Sequence, residues 1–252
     1  MSIIDAHVHV YEKGYFGDIG SLISQMDEYG INKAVVIALP GICSNTSLLK
    51  FCEGYPDRLF GMVYPNFSKF WWKNDLRRNI AQEHCVGIKI HPRFQKIELD
   101  NSKLDAVFEM AREFNLPVEV DVFPIGKRLN SHSLNPFAIH PYAQKYRDVN
   151  IILAHSGAPF TAETMLLASS NSNIYLDISL FLKFFKNFSV IDDFIELSKR
   201  IGPDRIIYGS DYPMYSMNEY LLETHRVLHA FSDLDKEKIL SKNAMNLFSI
   251  PD

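Results

Sequence analysis

Residues 3–10, IIDAHVHV, give the first indication of the fold. It opens with β-branched apolar residues, and polar and apolar side chains then alternate with the two-residue period of a β-strand. Asp5, His7 and His9 therefore share one face of the predicted strand, and the valines share the other. Two imidazoles would converge at the carboxyl end of this strand, which is a geometry that suits a metal ion.

Seven further strands are predicted after this one. The eight cover residues 3–9, 33–38, 59–64, 86–91, 117–122, 151–155, 174–179 and 205–210. Helical segments separate them: Asp18 is placed to cap a helix that Gly30 ends, and Ser216 and Glu219 have capping-box spacing. Eight alternating units predict an α/β protein with a distorted (β/α)8 TIM barrel. An open doubly wound sheet shares this alternation and is the alternative.

The 252 residues are interpreted as one domain, 1–252, because no linker, low-complexity tract or internal repeat divides them. Residues 235–250 are predicted to form an added C-terminal helix that packs against the barrel. Four aromatic residues between the third and fourth strands are interpreted as helix core, with a lip over a pocket as the alternative. They are Phe67, Phe70, Trp71 and Trp72.

Composition and charge exclude several classes of protein. A content of 47% hydrophobic and 22% charged residues excludes global disorder. The net charge of −4, without a basic run, argues against a nucleic-acid partner. The chain shows no basic-then-apolar leader and no run of about 18 apolar residues, so no membrane partner is expected. Three cysteines without CxxC spacing fit neither a disulfide framework nor a zinc knuckle, and a cytoplasmic location is expected.

Polar side chains recur at the carboxyl ends of other predicted strands, where barrel enzymes carry their chemistry. They are Lys89 and His91 in GIKIHP, Glu119 and Asp121 in PVEVDVF, His155 in IILAHSG, and Asp211 in IIYGSDYP. Unpaired buried charges are unfavourable by several kcal/mol each, so their convergence indicates an ion or a reacting group at the centre. The HxH spacing is weak evidence by itself, and its position at a strand end gives it weight.

Each of these residues also has a structural interpretation. Asp5 is placed as a hydrogen-bond partner of one histidine, and Glu119 as a structural partner one layer below the site. Lys89 either neutralises nearby carboxylates or, if carbamylated, bridges two metals. His91 either faces the site or is a solvated loop residue. Asp177 could be a wall residue paired with Lys89.

In their order along the chain, these motifs resemble the amidohydrolase superfamily, and within it the amidohydrolase-related group that includes aminocarboxymuconate semialdehyde decarboxylase. The resemblance runs from residue 3 to residue 248 and is carried by IDAHVHV, GIKIHP, PVEVDV, ILAHSG, NIYLDIS, GPDRIIYGSDYP and ILSKNAMNLF. It implies one divalent ion, usually zinc, at the carboxyl-end mouth of the barrel. His7 and His9 match its first-strand ligands, and Asp211 matches the aspartate that touches both metal and water. His155 matches the sixth-strand histidine that orients or polarises the reacting groups.

The chain departs from the family pattern after the fifth strand. Where that pattern reads PVxxH, with a histidine ligand, residues 117–121 read PVEVD. Asp121 is therefore predicted as a replacement ligand, and its oxygen would favour Mn²⁺ without excluding Zn²⁺. Two alternatives are a weakened site that has lost a ligand, and a site in which His155 becomes a ligand.

The resemblance predicts a metal-dependent hydrolase that acts on a small carbonyl substrate, namely an amide, lactone or related ester, through a metal-activated water. Asp211 would be the general base and acid, and His155 would stabilise charge on the carbonyl oxygen. Two alternatives stay open. One is a non-oxidative decarboxylase of an aromatic or unsaturated carboxylic acid, and the other is a non-catalytic barrel that binds a small molecule or a partner protein.

Lys89, His91 and Arg93 are the predicted substrate-binding residues. A guanidinium binds a carboxylate at two points, so Arg93 could hold a substrate carboxylate at the mouth, as could Lys127 and Arg128. A homodimer is the default expectation for an enzyme of this type.

Overall fold

Eight strands form one parallel sheet in chain order. The computed structural model describes residues 2–12, 17–124 and 134–251, so Lys127 and Arg128 lie outside the described residues. The strands are β1 Ile4–Val8, β2 Lys33–Ile37, β3 Leu59–Val63, β4 Cys85–Ile90, β5 Val118–Val120, β6 Ile151–Leu153, β7 Ile174–Asp177 and β8 Ile206–Ile207. All eight predicted strands are present, and each ends before its predicted limit.

The sheet closes on itself between β8 and β1. The backbone N–H of Ala6 donates to the carbonyl of Tyr208 at 2.8 Å, and that of His9 donates to the carbonyl of Tyr212 at 2.7 Å. The predicted barrel is therefore confirmed. The sequential strand order excludes the open doubly wound sheet, in which the order reverses at a switch point.

Helices follow the strands along the chain. They are α1 Ile19–Tyr29, α2 Asn45–Gly54, α3 Trp72–Ile80, α4 Pro92–Gln95, α5 Lys103–Glu113, α6 His140–Lys145, α7 Thr161–Ser170, α8 Phe181–Phe184, α9 Val190–Ile201, α10 Met217–Leu228, α11 Asp233–Glu237 and α12 Asn243–Phe248, with 3₁₀ turns at Pro136–Ile139, Ala154–Gly157 and Pro203–Arg205. Asp18 caps α1 and Gly30 ends it with φ 69°, while Ser216 and Glu219 form a capping box on α10, as predicted. Among the described residues, no helix has both the length and the apolar character needed to cross a membrane.

The C-terminal segment forms the added helix that the sequence predicts. Helix α11, a π-helical turn at Lys238–Lys242 and α12 follow one another without a break. Ala244 and Phe248 of α12 share a buried apolar cluster with Ile4 of β1 and Ile207 of β8. This helix therefore packs against the barrel and adds to its core.

The aromatic residues between β3 and β4 divide into two pairs. The rings of Phe67 and Trp72 meet edge to face at 5.0 Å, and Trp72 is part of the main core. Phe70 and Trp71 are 97% and 61% exposed. A cavity lies where the carboxyl ends of the strands meet, and none of the four residues lines it. The core interpretation therefore holds for one pair, and neither pair forms a pocket lip.

Candidate active site

A cavity of about 860 Å³ lies where the carboxyl ends of the strands meet. All the residues predicted for catalysis, metal binding or substrate binding line it, apart from Lys127 and Arg128, which lie outside the described residues. The predicted residues that line it are His7, His9, Lys89, His91, Arg93, Asp121, His155 and Asp211. The rest of the lining is mainly apolar and aromatic, and includes Leu39, Ile42, Phe94, Phe123, Phe184 and Met214. This combination of an apolar wall and a polar floor is typical of a small-molecule site.

His7, His9 and Asp211 form one compact set of side chains that could hold a metal ion, here called the donor group. The Nε2 atoms of His7 and His9 lie 3.2 Å apart. Oδ1 of Asp211 lies 3.4 Å from Nε2 of His9 and 3.7 Å from Nε2 of His7. Burial would raise the pKa of Asp211, but its hydrogen bond to His9 and the charges of His7 and His155 lower it to about 2. Asp211 is therefore an ionised carboxylate at neutral pH.

Hydrogen bonds at Nδ1 determine which nitrogen each imidazole presents to the cavity. Nδ1 of His9 lies 3.0 Å from the carbonyl oxygen of Ile37, and Nδ1 of His155 lies 3.0 Å from that of Ser179. A carbonyl oxygen only accepts, so in both rings Nδ1 carries the proton that it donates. The lone pair of a neutral ring is then on Nε2, which is the atom that a metal ion would bind.

His7 belongs to a buried group of four charged side chains, the others being Asp177, Glu119 and Lys89. Nδ1 of His7 is 2.7 Å from Oδ2 of Asp177 and 3.0 Å from Oε1 of Glu119, and Nζ of Lys89 is 2.5 Å from the same oxygen of Glu119. Burial would lower the pKa of His7, but the two carboxylates outweigh it and raise that pKa to about 10. Burial would raise the pKa of Glu119, but Lys89 and His7 hold it well below its ordinary value. Lys89 thus neutralises a carboxylate, as one of its two interpretations expected.

Asp121, His91 and Arg93 form a second polar set, here called the Asp121 cluster. Oδ2 of Asp121 accepts from Nε2 of His91 at 3.0 Å and from Arg93 at 3.1 Å, and Oδ1 accepts from the backbone N–H of Phe123. Nε2 of His155 lies 3.7 Å from Oδ2 of Asp121 and links this cluster to the donor group. The structure therefore places Asp121 with the predicted substrate-binding residues, and its role as a metal ligand stays a prediction.

The pKa values of Asp121 and His91 depend on the balance between burial and neighbouring charges. Burial would raise the pKa of Asp121, but His91, His155 and Arg93 hold it well below its ordinary value. Burial lowers the pKa of His91 to about 4, and the nearby carboxylate of Asp121 offsets this only in part. His91 is 5% exposed, so it is not the solvated loop residue that one interpretation expected.

Backbone strain accompanies two of the site residues. His155 and Asp211 have φ angles of 56° and 60°, in the left-handed region that residues other than glycine rarely adopt. The bonds of the site hold them there: the N–H of Asp211 donates to the carbonyl of His7 at 2.9 Å, and Ser179 binds His155. The turn at His155 explains why β6 ends before its predicted limit, since a left-handed residue cannot continue a strand.

Gly209 and Ser179 were missed by sequence reasoning. A Cβ at Gly209 would lie 2.6 Å from Cβ of His7 and 2.7 Å from Oδ1 of Asp177, so only glycine permits this approach. Oγ of Ser179 is 3.0 Å from Nδ1 of His155 and 3.1 Å from Nδ1 of His7. Their positions two residues from Asp211 and Asp177 were the available signal, because residues two apart lie on one face of a strand.

Asp5 supports the backbone at the barrel closure. Its Oδ1 accepts from the backbone N–H of Ser210 at 2.9 Å and from that of His7 at 3.3 Å. Burial raises the pKa of Asp5 to about 7. Asp5 is therefore a partner of the His7 backbone, where the sequence predicted a bond to an imidazole.

Nearly the whole sequence matches one protein family. The sequence profile of the amidohydrolase family matches residues 4–250. The chain belongs to the amidohydrolase family. A search among curated protein sequences found no significant match to it.

Solved structures of low sequence identity share this family's fold over their full length. A probable 2-pyrone-4,6-dicarboxylic acid hydrolase from Acinetobacter baumannii, with citric acid bound, is 18% identical with a TM-score of 0.74, covering 99% of this chain and 100% of that chain. An amidohydrolase from Burkholderia multivorans with bound zinc is 12% identical with a TM-score of 0.77, covering 100% of both chains. A 5-carboxyvanillate decarboxylase from Sphingomonas paucimobilis is 12% identical with a TM-score of 0.73, covering 99% of both chains.

Proposed function

We propose that this amidohydrolase-family protein is a metal-dependent hydrolase of a small carbonyl compound, namely an amide, lactone or related ester. The observation that carries the proposal is the donor group, in which two imidazole nitrogens and an ionised carboxylate meet at the floor of the cavity. With His7 deprotonated at Nε2, as metal binding requires, these donors suit Zn²⁺ or Mn²⁺, and zinc is bound in the amidohydrolase from Burkholderia multivorans. Such an ion, when bound, lowers the pKa of a coordinated water and polarises a substrate carbonyl.

Asp211 performs the proton transfers in this proposal. Its carboxylate is ionised at neutral pH, so it accepts the proton of the attacking water and then delivers it to the leaving nitrogen or oxygen. His7 and Asp121 are not assigned the proton transfers, because each is buried in ion pairs with oppositely charged side chains. Asp211 is 8% exposed and lines the cavity, which leaves it accessible to a bound substrate.

His155 has two possible uses that exclude each other. Its Nδ1 donates to Ser179, so its Nε2 is a donor only when the ring is cationic. A cationic ring stabilises negative charge on the carbonyl oxygen, whereas a neutral ring adds a third nitrogen to the donor group. Its ring centroid lies 5.3 Å from that of His7, so the ring lies beside the donor group.

The cavity lining indicates the size and charge of the substrate. Phe94, Phe123 and Phe184 provide an aromatic wall, and Arg93 provides a cationic group on the same cavity. A small, partly apolar molecule with a carboxylate fits this lining. The citric acid bound to the hydrolase from Acinetobacter baumannii supports a carboxylate-bearing substrate.

Turnover in ¹⁸O-labelled water tests the reaction class. We expect the metal-loaded protein to convert a member of a panel of lactones, amides and esters and to place one labelled oxygen in the carboxylate product. Decarboxylation is the second candidate, because the fold is shared with 5-carboxyvanillate decarboxylase, and it would release carbon dioxide from an aromatic acid without labelling the organic product. Turnover of neither class by metal-loaded protein would contradict both.

Elemental analysis tests the metal site. We expect about one Zn or Mn per chain in the purified protein, and only a small fraction of that in His9→Ala, because this change removes a nitrogen of the donor group. His225→Ala is the matched control, since His225 is exposed on α10, and it should keep the full metal content. The metal content of Asp121→Asn tests whether Asp121 is a ligand. A content as low as that of His9→Ala would identify it as one, and an unchanged content would exclude it. A metal-free wild-type protein after growth with added zinc and manganese would contradict the proposed mechanism.

A further inference from the structure

The hydroxyl of Ser179 lies between the ring nitrogens of two site histidines. Its Oγ is 3.0 Å from Nδ1 of His155, 3.1 Å from Nδ1 of His7 and 2.5 Å from Oδ2 of Asp177. None of these four residues is more than 4% exposed. One hydroxyl therefore contacts His155, a member of the donor group and a carboxylate, away from solvent.

The chemistry of each atom determines the direction of these hydrogen bonds. The carboxylate of Asp177 only accepts, so the single proton of the Ser179 hydroxyl is donated to Oδ2. The hydroxyl oxygen keeps its lone pairs and accepts from Nδ1–H of His155. Nδ1 of His7 donates to its nearest acceptor, which is the same Oδ2 of Asp177 at 2.7 Å. Asp177 thus binds His7 directly and reaches His155 through Ser179, an arrangement here called the Asp177 network.

The turn after β7 holds Ser179 in this position. The backbone N–H of Ser179 donates to Oδ1 of Asp177 at 2.8 Å, and its carbonyl lies 3.0 Å from Nδ1 of His155. The next residue, Leu180, lines the cavity and has φ 57°, a positive value that leucine rarely adopts. Strained residues of this kind persist where their surroundings over-determine the backbone, and they concentrate at functional sites. This turn places both oxygens of Ser179 against Nδ1 of His155.

We propose that Ser179 is a positioning residue through which one carboxylate, that of Asp177, orients His155 as well as His7. The Ser179 hydroxyl keeps the proton of His155 on Nδ1, so that Nε2 is the nitrogen left for the reacting groups or for a metal ion. This inference rests on the proposed function, because it concerns how His155 and the donor group are held for that reaction. Removing an outer partner of this kind typically lowers metal affinity or activity by about 10- to 100-fold.

Exchange of a ring proton with water tests the bond between Ser179 and His155. In protein labelled with ¹⁵N-histidine, the Nδ1–H signal of His155 is assigned by its loss in His155→Gln. We expect this proton to exchange about tenfold faster in Ser179→Ala than in the wild-type protein, the factor that one buried hydrogen bond supplies. Ser179→Thr keeps the hydroxyl and should retain slow exchange. Ser179→Cys, whose sulfur is a weak acceptor, replaces Ser179→Ala as the test if the alanine variant does not fold.

Ser198→Ala is the matched control. Ser198 is a fully buried serine of α9, and its Oγ has no hydrogen-bond partner among the described residues. Its substitution removes the same atom from the interior without breaking a bond to a histidine. Exchange at Nδ1 of His155 should therefore stay at the wild-type rate.

Zinc affinity and kinetics separate the two histidines of the Asp177 network. Asp177 binds Nδ1 of His7 directly, so Asp177→Asn should weaken zinc binding by about 10- to 100-fold, measured by competition with a chelator. Ser179→Ala should weaken it less, because the bond between Asp177 and His7 is kept. On the substrate that the panel identifies, Ser179→Ala should lower kcat about tenfold with little change in KM, since His155 acts on the reacting groups.

Two results would overturn the inference. One is an Nδ1–H signal of His155 that exchanges as fast in the wild-type protein as in folded Ser179→Ala. The other is a loss of zinc affinity in Ser179→Ala as large as that in Asp177→Asn, because Ser179 would then act on His7. The exchange measurement requires neither metal nor substrate, so a failure of the proposed hydrolysis is registered separately by the labelled-water experiment.

Discussion

Replacing Asp211 with asparagine should lower kcat by about 10³-fold on the substrate that the panel identifies. Asp211 is the ionised carboxylate of the donor group, and the amide that replaces it cannot accept a proton from water. The fold should be kept, because asparagine tolerates the left-handed backbone that this position requires better than most residues do. The rate is measured on metal-loaded protein, with the metal content of each sample determined in parallel.

Asp204→Asn provides the matched control for this substitution. Asp204 is an exposed carboxylate, paired with Lys238 at 2.7 Å, and its replacement should leave kcat unchanged. A folded, metal-loaded Asp211→Asn protein with a kcat within about tenfold of the wild-type value would remove Asp211 from the role of base, since general acid–base groups contribute more than this. Loss of metal together with loss of activity would assign Asp211 mainly to metal binding.

Replacing Lys89 with methionine should lower the free energy of unfolding by about 3–5 kcal/mol, the range for breaking a buried ion pair. Lys89 and Glu119 are each at most 1% exposed and are joined at 2.5 Å. Methionine fills a similar volume but leaves the carboxylate of Glu119, among the residues that the structure describes, with His7 as its one cationic partner. Urea unfolding of the metal-free protein measures the change.

Lys145→Met is the control for the loss of a lysine. Lys145 is 56% exposed and pairs with Asp105 at 2.6 Å, and surface pairs contribute only about 0–1 kcal/mol. The double variant Lys89→Met/Glu119→Gln should regain much of the lost stability, because it removes the unpaired charge. A loss below about 1 kcal/mol in Lys89→Met would show that Lys89 is not the required counter-charge of Glu119.

The location of the site residues could be predicted from local sequence patterns, because the fold is a barrel. Each strand is recognisable from its own residues, and parallel strands place all their carboxyl ends at one mouth. IIDAHVHV and YGSDYP are therefore sufficient to bring His7, His9 and Asp211 together without knowledge of their contacts. The same reasoning placed His155, Lys89 and the Asp121 cluster on this cavity.

The partners of these residues could not be predicted from the sequence. His7 binds Asp177, 170 residues away along the chain, and Lys89 binds Glu119 from the neighbouring strand. Asp121, expected beside the donor group, binds Arg93 and His91 in the structure. The position of a residue at the end of a strand places it at the mouth of the barrel. Which charged residue it pairs with there depends on strand register and on backbone shifts of a few ångströms.

The sequence by itself thus determined the eight-stranded barrel, its family and the residue types at its mouth, because these follow from periodicity and from motifs local to each strand. The contacts in the folded chain were needed to assign the nitrogen that each imidazole presents, the carboxylate that Lys89 neutralises and the residues that Asp121 contacts. Hydrogen bonds and ion pairs act over about 3 Å. Their partners come from strands far apart in the sequence, so closure of the barrel and the register of its strands must be known before they can be assigned.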